Sequence, residues 1–142
     1  MKQSTNGVGE DLPLFLWVPS RIICKFNCLK INTLKKIAKT PSPPYICAVF
    51  TSIRTDVNEG YEEMNDNLFK EIDTISGYLG NEFFRDENGF GINVSYWKDI
   101  NSLKNWRDNQ LHLKAQTLGR TKWYKEYKLR ISEVQRDYEF KT

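Results

Sequence analysis

Two apolar stripes of helical period lie among four runs rich in β-branched and aromatic residues between Tyr45 and Phe140, and that order leaves few folds open. The first run, Tyr45–Ile53, has the composition of a strand. Tyr61, Met64, Leu68, Ile72 and Ile75 then recur at spacings of three and four, which puts them on one face of a helix, with Glu62, Glu63, Asp66 and Lys70 elsewhere. Gly77 stands where a left-handed cap would end that helix. Tyr78–Arg85 and Phe90–Lys98 read as a second and third strand joined by the turn Asp86-Glu-Asn-Gly89. Alternation places Ile92, Val94 and Tyr96 on one face of the third strand and Asn93, Ser95 and Trp97 on the other. Asp99 suits the cap of a second helix whose stripe runs through Leu103, Trp106, Gln110 and Leu113. After Gly119 a short helical turn carries Trp123, Tyr124 and Tyr127, and Leu129–Phe140 reads as the fourth strand.

The order βαββαβ is the ferredoxin-like arrangement, an α+β fold in which both helices cover one face of a four-stranded antiparallel sheet. The other face is left open. Tyr45, Cys47, Val49, Ile92, Val94, Leu129 and Ile131 are too apolar to leave both faces wet, which predicts a homodimer that covers the open side.

Thr40-Pro-Ser-Pro-Pro44 cannot continue a helix, so it separates an extension at residues 1–37 from a domain at 38–142. The extension is expected to be a poorly ordered tail, the alternative being a basic amphipathic helix at residues 25–39 on a membrane surface. Its apolar cluster Leu12–Val18 is too short to span a bilayer, so no membrane span is expected. Charge points the same way for nucleic acid: the net +3 divides into +5 over residues 1–40 and −2 over the rest, so the domain lacks a phosphate-binding stripe. Cys24, Cys28 and Cys47 are an odd set without a matching histidine pair, so no metal site is expected, and they fit a reducing cytoplasm.

A series of short motifs runs through the domain in order: Val49-Phe-Thr-Ser-Ile-Arg-Thr55, Gly60-Tyr-Glu-Glu-Met64, Gly77-Tyr-Leu-Gly80, Gly91-Ile-Asn-Val-Ser-Tyr-Trp97, Trp106 followed by His112, Ala115-Gln116, Gly119-Arg120, Trp123-Tyr124 and Tyr138-Glu-Phe140. In these the chain resembles the antibiotic biosynthesis monooxygenase (ABM) domain family, a set of dimeric α+β barrels that includes cofactor-free oxygenases, quinol oxidases and haem-degrading enzymes. Trp97 and Trp106, nine apart, resemble the haem-degrading branch. Where that branch has its haem-binding histidine, however, this chain has Gln116, and an amide does not replace imidazole on iron. Haem binding is therefore not expected.

The resemblance implies instead a cofactor-independent monooxygenase acting on a flat phenol, anthrone or quinol, with no cofactor. Such chemistry needs aromatic walls, a proton acceptor and donors for the developing oxyanion. Trp106, Trp123 and Tyr124 are the candidate walls. His112, whose ordinary pKa lies near neutrality, is the candidate base, and Arg120 and Asn93 are candidates to stabilise negative charge. Structural roles compete with each of these. Trp106 lies mid-stripe and suits the core, while His112 lies about 240° round the same helix and faces away. Arg120 suits a cap or an ion pair, and Trp123 and Tyr124 suit an anchor for the last turn. A non-catalytic dimeric protein that binds a small ligand, or serves as a stress-related accessory, is the alternative function. A closed, ligand-sized cavity between the second helix and the sheet, with His112 or Arg120 pointing into it, favours the enzyme; a space filled by Trp106 and Trp123 favours the alternative.

Overall fold

The computed structural model describes residues 37–142; the expectations for the extension, Cys24 and Cys28 lie outside the described residues. Strand β1 (Tyr45–Arg54) is followed by α1 (Tyr61–Ile72), β2 (Tyr78–Arg85), β3 (Phe90–Trp97), α2 (Ile100–Arg107), α3 (Gln110–Leu118), a π-helical turn at Gly119–Trp123, and β4 (Tyr124–Val134). The strands form one antiparallel sheet in the order β2-β3-β1-β4, the ferredoxin-like α+β arrangement. The β1 strand is central and pairs along nearly its whole length with both β3 and β4.

Packing follows from alternation along β1. Ala48 sits opposite Ser95 and Ile131, and Phe50 opposite Asn93 and Leu129, so these side chains share the face beneath the helices. At one end of that face Ala48, Ile72, Trp97, Leu103 and Trp106 form a core, with Trp97 at 0% exposure and its Nε1–H donating to Ser95 Oγ at 3.0 Å. Met64, Ala115 and Trp123 form a second cluster between α1 and α3.

Four expectations are corrected. The second helix is not continuous: α2 ends at Arg107, and Asn109 caps a new helix by accepting from the backbone N–H groups of Leu111 and His112. A residue of this kind inside a periodic stripe is a cap signal that the stripe conceals. Leu113, assigned to the buried stripe, is consequently 46% exposed. The first helix ends at Ile72 with Asp73 as its cap, so Gly77 does not terminate it. Gly77 instead takes φ +85° in the turn into β2, where its carbonyl accepts from Lys98 N–H at 2.7 Å.

The fourth strand begins at Tyr124, five residues earlier than expected, and ends at Val134, so Tyr124 and Tyr127 belong to the strand and not to the preceding turn. Its pairing with β1 therefore puts Leu129 and Ile131 on the helix side of the sheet, where they stay half exposed, and Lys128, Arg130 and Ser132 on the open face. The open face is apolar over the other three strands, with Val49, Ile92 and Val94 flanked by Phe84 at 64% exposure and by Phe90. At one end Glu82 accepts from the Ala38 N–H at 2.9 Å and from Tyr96 Oη–H at 2.8 Å, which brings the segment before β1 across the sheet.

The broken helix has a measurable consequence. Leu103→Ala should destabilise the chain by about 2–5 kcal/mol through lost core packing, whereas Leu113→Ala should cost under about 1 kcal/mol. Thermal or urea melts of the two variants check it. Equal losses would restore a single continuous stripe.

Candidate functional site

Between the helices and the sheet lies a cavity of about 550 Å³. Its floor is Ala48 and Phe50 of β1, Asn81, Phe83 and Arg85 of β2, Asn93 and Ser95 of β3, and Leu129 and Ile131 of β4. Its roof is Leu68 and Phe69 of α1, Leu103 and Trp106 of α2, and His112 and Gln116 of α3, with Arg120, Tyr124 and Tyr127 at one side. The volume matches a small organic ligand, and a largely apolar lining with a few polar groups is the usual composition of such sites.

His112 owes its place to the break before α3. In the first turn of the new helix its ring stacks on Trp106, with centroids 4.4 Å apart and planes 23° from parallel. Its Nδ1 lies 2.8 Å from the Trp106 carbonyl oxygen. A carbonyl only accepts, so Nδ1 carries the proton and the lone pair is on Nε2. Burial pushes the imidazole pKa below its ordinary value of 6.5, and the Trp106 hydrogen bond pulls weakly the other way. The ring is therefore a neutral base at physiological pH, on the cavity wall and not turned away as the wheel of one continuous helix placed it.

The other predicted residues divide. Trp106 is both core and cavity roof. Asn93 ends a short relay in which Tyr78 Oη–H donates to Asn81 Oδ1 at 2.6 Å and Asn81 Nδ2–H donates to Asn93 Oδ1 at 3.0 Å. This orients Asn93 so that its own amide N–H groups are the donors left for a ligand. Arg120, on the π-helical turn, donates through Nε to Tyr127 Oη at 3.0 Å and through Nη2 to Gln116 Oε1 at 3.4 Å. Gln116 in turn donates to the Arg107 carbonyl at 3.2 Å. Tyr124 lines the cavity, and burial together with neighbouring Tyr61 holds its phenol above the ordinary range against the pull of Arg85 and Arg54, so it is a neutral donor. Trp123 is not brought to the cavity: it is buried in the second cluster, edge-on to Tyr61, with Nε1–H donating to the Glu59 carbonyl.

Asn81, Phe83, Arg85 and Tyr61 also reach the cavity and were not among the expected residues. The turn at Asp86–Gly89 sets a hairpin register in which Arg85, Phe83 and Asn81 stand opposite Gly91, Asn93 and Ser95, so Asn93 carried a pointer to its β2 neighbours. Among the described residues no three His, Cys, Asp or Glu side chains gather as a metal site would require.

No family profile matches the chain. It is 35% identical over 100 residues to YqjZ of Bacillus subtilis, an uncharacterized protein, in a match that covers 70% of this chain and 88% of that one. It is 31% identical over 70 residues to jasmonate monooxygenase ABM of Pyricularia oryzae, covering 48% of this chain and 33% of that protein. The fold superposes on SnoaB, a cofactor-independent oxygenase from Streptomyces nogalater, with a TM-score of 0.57 at 10% identity, over 67% of this chain and 97% of that one.

The histidine is unique in the sequence, so its titration can be read without assignment. The NMR midpoint of the His112 ring should fall below 6.5. With the folded pKa depressed, the unfolded chain takes up its proton first as pH drops. Stability should then be constant above about pH 7 and fall with acidification below the ordinary value, a slope that His112→Asn should flatten. A midpoint at or above 6.5 would contradict the buried neutral ring.

Proposed function

The chain belongs to the antibiotic biosynthesis monooxygenase domain family, and from that premise we propose that it is a cofactor-independent monooxygenase acting on a small aromatic or quinol-type compound. The observation that carries the reading is His112, a neutral imidazole at the wall of a ligand-sized cavity, whose Nε2 meets no hydrogen-bond partner among the described residues. The cavity also separates this reading from a purely structural one, since Trp106 roofs the space without filling it and Trp123 lies elsewhere.

In the proposed reaction a flat phenol or anthrone lies between Phe50 and Leu129 below and Trp106 above. His112 Nε2 takes the proton from the activated carbon or hydroxyl. Asn93 N–H donates to the oxyanion that develops, the kind of preorganised stabilisation that dominates such catalysis, while the Tyr124 hydroxyl is held by its hydrogen bond with Tyr61. The electron-rich carbanion then reduces dioxygen, forming a carbon–oxygen bond. On cleavage of the resulting peroxide one oxygen stays as a carbonyl and the other leaves as water, so no external reductant is required. Arg120, tied to Tyr127 and Gln116, acts in this scheme as a positive group at the side of the cavity.

The second element of the proposal is a homodimer. The apolar patch of Val49, Ile92, Val94, Phe84 and Phe90 supports it, without the Leu129 and Ile131 first assigned to that face. Light scattering should return about twice the chain mass of 16.7 kDa, and a monomer at micromolar concentration would contradict it. Among the described residues no helix is long and apolar enough to cross a membrane. Cys47 is a buried free thiol, which supports a reducing compartment such as the cytoplasm.

The enzyme should consume oxygen with 1,8-dihydroxyanthrone or a substituted hydroquinone without added flavin or metal. His112→Ala should lower kcat at least about tenfold, as loss of a general base does. The rate should hold level as pH falls to 6.5 and decline only below it, in keeping with the lowered His112 pKa. No uptake across the panel, or normal rates in His112→Ala and Asn93→Ala alike, would return the cavity to a binding role.

A further inference from the structure

Arg85 lines the cavity at the end away from Trp106, and Arg54 packs against the Tyr61 ring of its wall. Arg54 is 9% exposed, its Cζ 3.4 Å above the centre of the Tyr61 ring, and its Nη2 donates to the Val57 carbonyl and Asn58 Oδ1. Arg85 lines the cavity itself and donates through Nη1 to the Gly89 carbonyl at 2.6 Å and through Nη2 to Ser52 Oγ at 3.1 Å. Neither guanidinium forms an ion pair among the described residues, and the Nε of each is buried without an acceptor. Burying a charge is costly unless a counter-charge accompanies it, and here Arg54 is buried and Arg85 half-buried.

The backbone is built to admit one of them. A Cβ at Gly91 would lie 2.6 Å from Arg85 Cζ, so the guanidinium lies directly over a glycine on the strand opposite. Around it are Phe83, with its ring centre 5.5 Å from Cζ, and Tyr124 at 6.0 Å. Phe50, Leu129 and Ile131 give the cavity floor an apolar track beside the polar Asn81, Asn93 and Ser95.

We propose that Arg85, backed by Arg54, is the anchor for the carboxylate of an apolar monocarboxylic acid whose body lies along the cavity floor. The inference deepens the oxygenase reading by naming its substrate class, and rests on that reading only for what happens to the ligand once bound. The register gives the ligand a length. Arg85 is level with Ser52 of β1 through Gly91, while Trp106 and its stacked His112 pack at the level of Ala48, four residues away. At the rise of an extended strand that is roughly 13 Å. An acid held by Arg85 therefore presents carbon atoms far from its carboxylate to the imidazole.

The test is binding to the full chain, with 2-naphthoate and the isosteric 2-naphthamide as probes in calorimetric titrations. The carboxylate should bind at least about tenfold more tightly than the amide, the scale of a charge-assisted bond to guanidinium. Arg85→Gln should abolish that preference by weakening the acid far more than the amide. Gly91→Ala keeps the charge but displaces it, and should narrow the preference; it decides the matter if Arg85→Gln does not fold. Equal affinity for the two probes in the parent protein, no binding of the acid, or a preference that survives both substitutions overturns the proposal. A protein that prefers the acid yet takes up no oxygen with any phenol or acid retains this anchor and loses the oxygenase reading.

Discussion

The hydrogen bond from His112 Nδ1–H to the Trp106 carbonyl exists because the helical path stops between these residues. A carbonyl in the last turn of a helix has no partner within it, and the Trp106 oxygen, one residue from the end of α2, is such a group, accepting instead from Asn109 N–H at 3.2 Å and from His112. Asn109 then restarts the chain by capping α3, and the change of direction lays the imidazole flat on the indole. The hydrogen bond fixes the tautomer, burial at this place depresses the pKa, and the stacking sets the side of the cavity on which the imidazole lies. An unbroken helix would have carried His112 away from the sheet and left Trp106 as core alone.

The same economy keeps the cavity open. Trp97, Leu103 and Trp106 close one end of the sheet, and Met64, Ala115 and Trp123 close the flank between α1 and α3. Neither cluster extends over Phe50 and Asn93, where the side chains of β4 reach only Leu129 and Ile131. A small domain that leaves such a volume unfilled gives up packing energy, and it surrounds the space with polar groups in place of methyl groups: the Tyr78–Asn81–Asn93 relay, Tyr124, and Arg85, held by Gly89 and Ser52. Departure from close packing at that one place, beside an otherwise consistent fold, is what a functional site is expected to look like.

Sequence made β1 to β3, the first helix and the sheet order legible, because each depends on local periodicity that one face of the sheet enforces. Three features were not legible for reasons that can be named. Asp108 and Asn109 sit where the stripe of Leu103 and Trp106 appears to continue, so periodicity masked a cap whose effect is decided by packing. The start of β4 is set by pairing with β1 across the bulge at Ile53 and Arg54, and this long-range register decides the face of Leu129 and Ile131. Arg85 read only as the last residue of the second strand, since its place over Gly91 emerges only once the hairpin is paired. Of the candidate residues, His112, Arg120, Asn93, Trp106 and Tyr124 come together around one space and Trp123 does not.

The central claim is that a ligand in this cavity gives up a proton to His112 before oxygen is involved. Anaerobic difference spectroscopy isolates that event: under argon at pH 7, the full chain is mixed with 1,8-dihydroxyanthrone and the absorption of the bound form recorded. The account predicts the spectrum of the anthrone anion in stoichiometric complex, and its return to the neutral form in His112→Ala while the anthrone still binds. A bound anthrone that stays neutral, or one that ionises equally in His112→Ala, would contradict it.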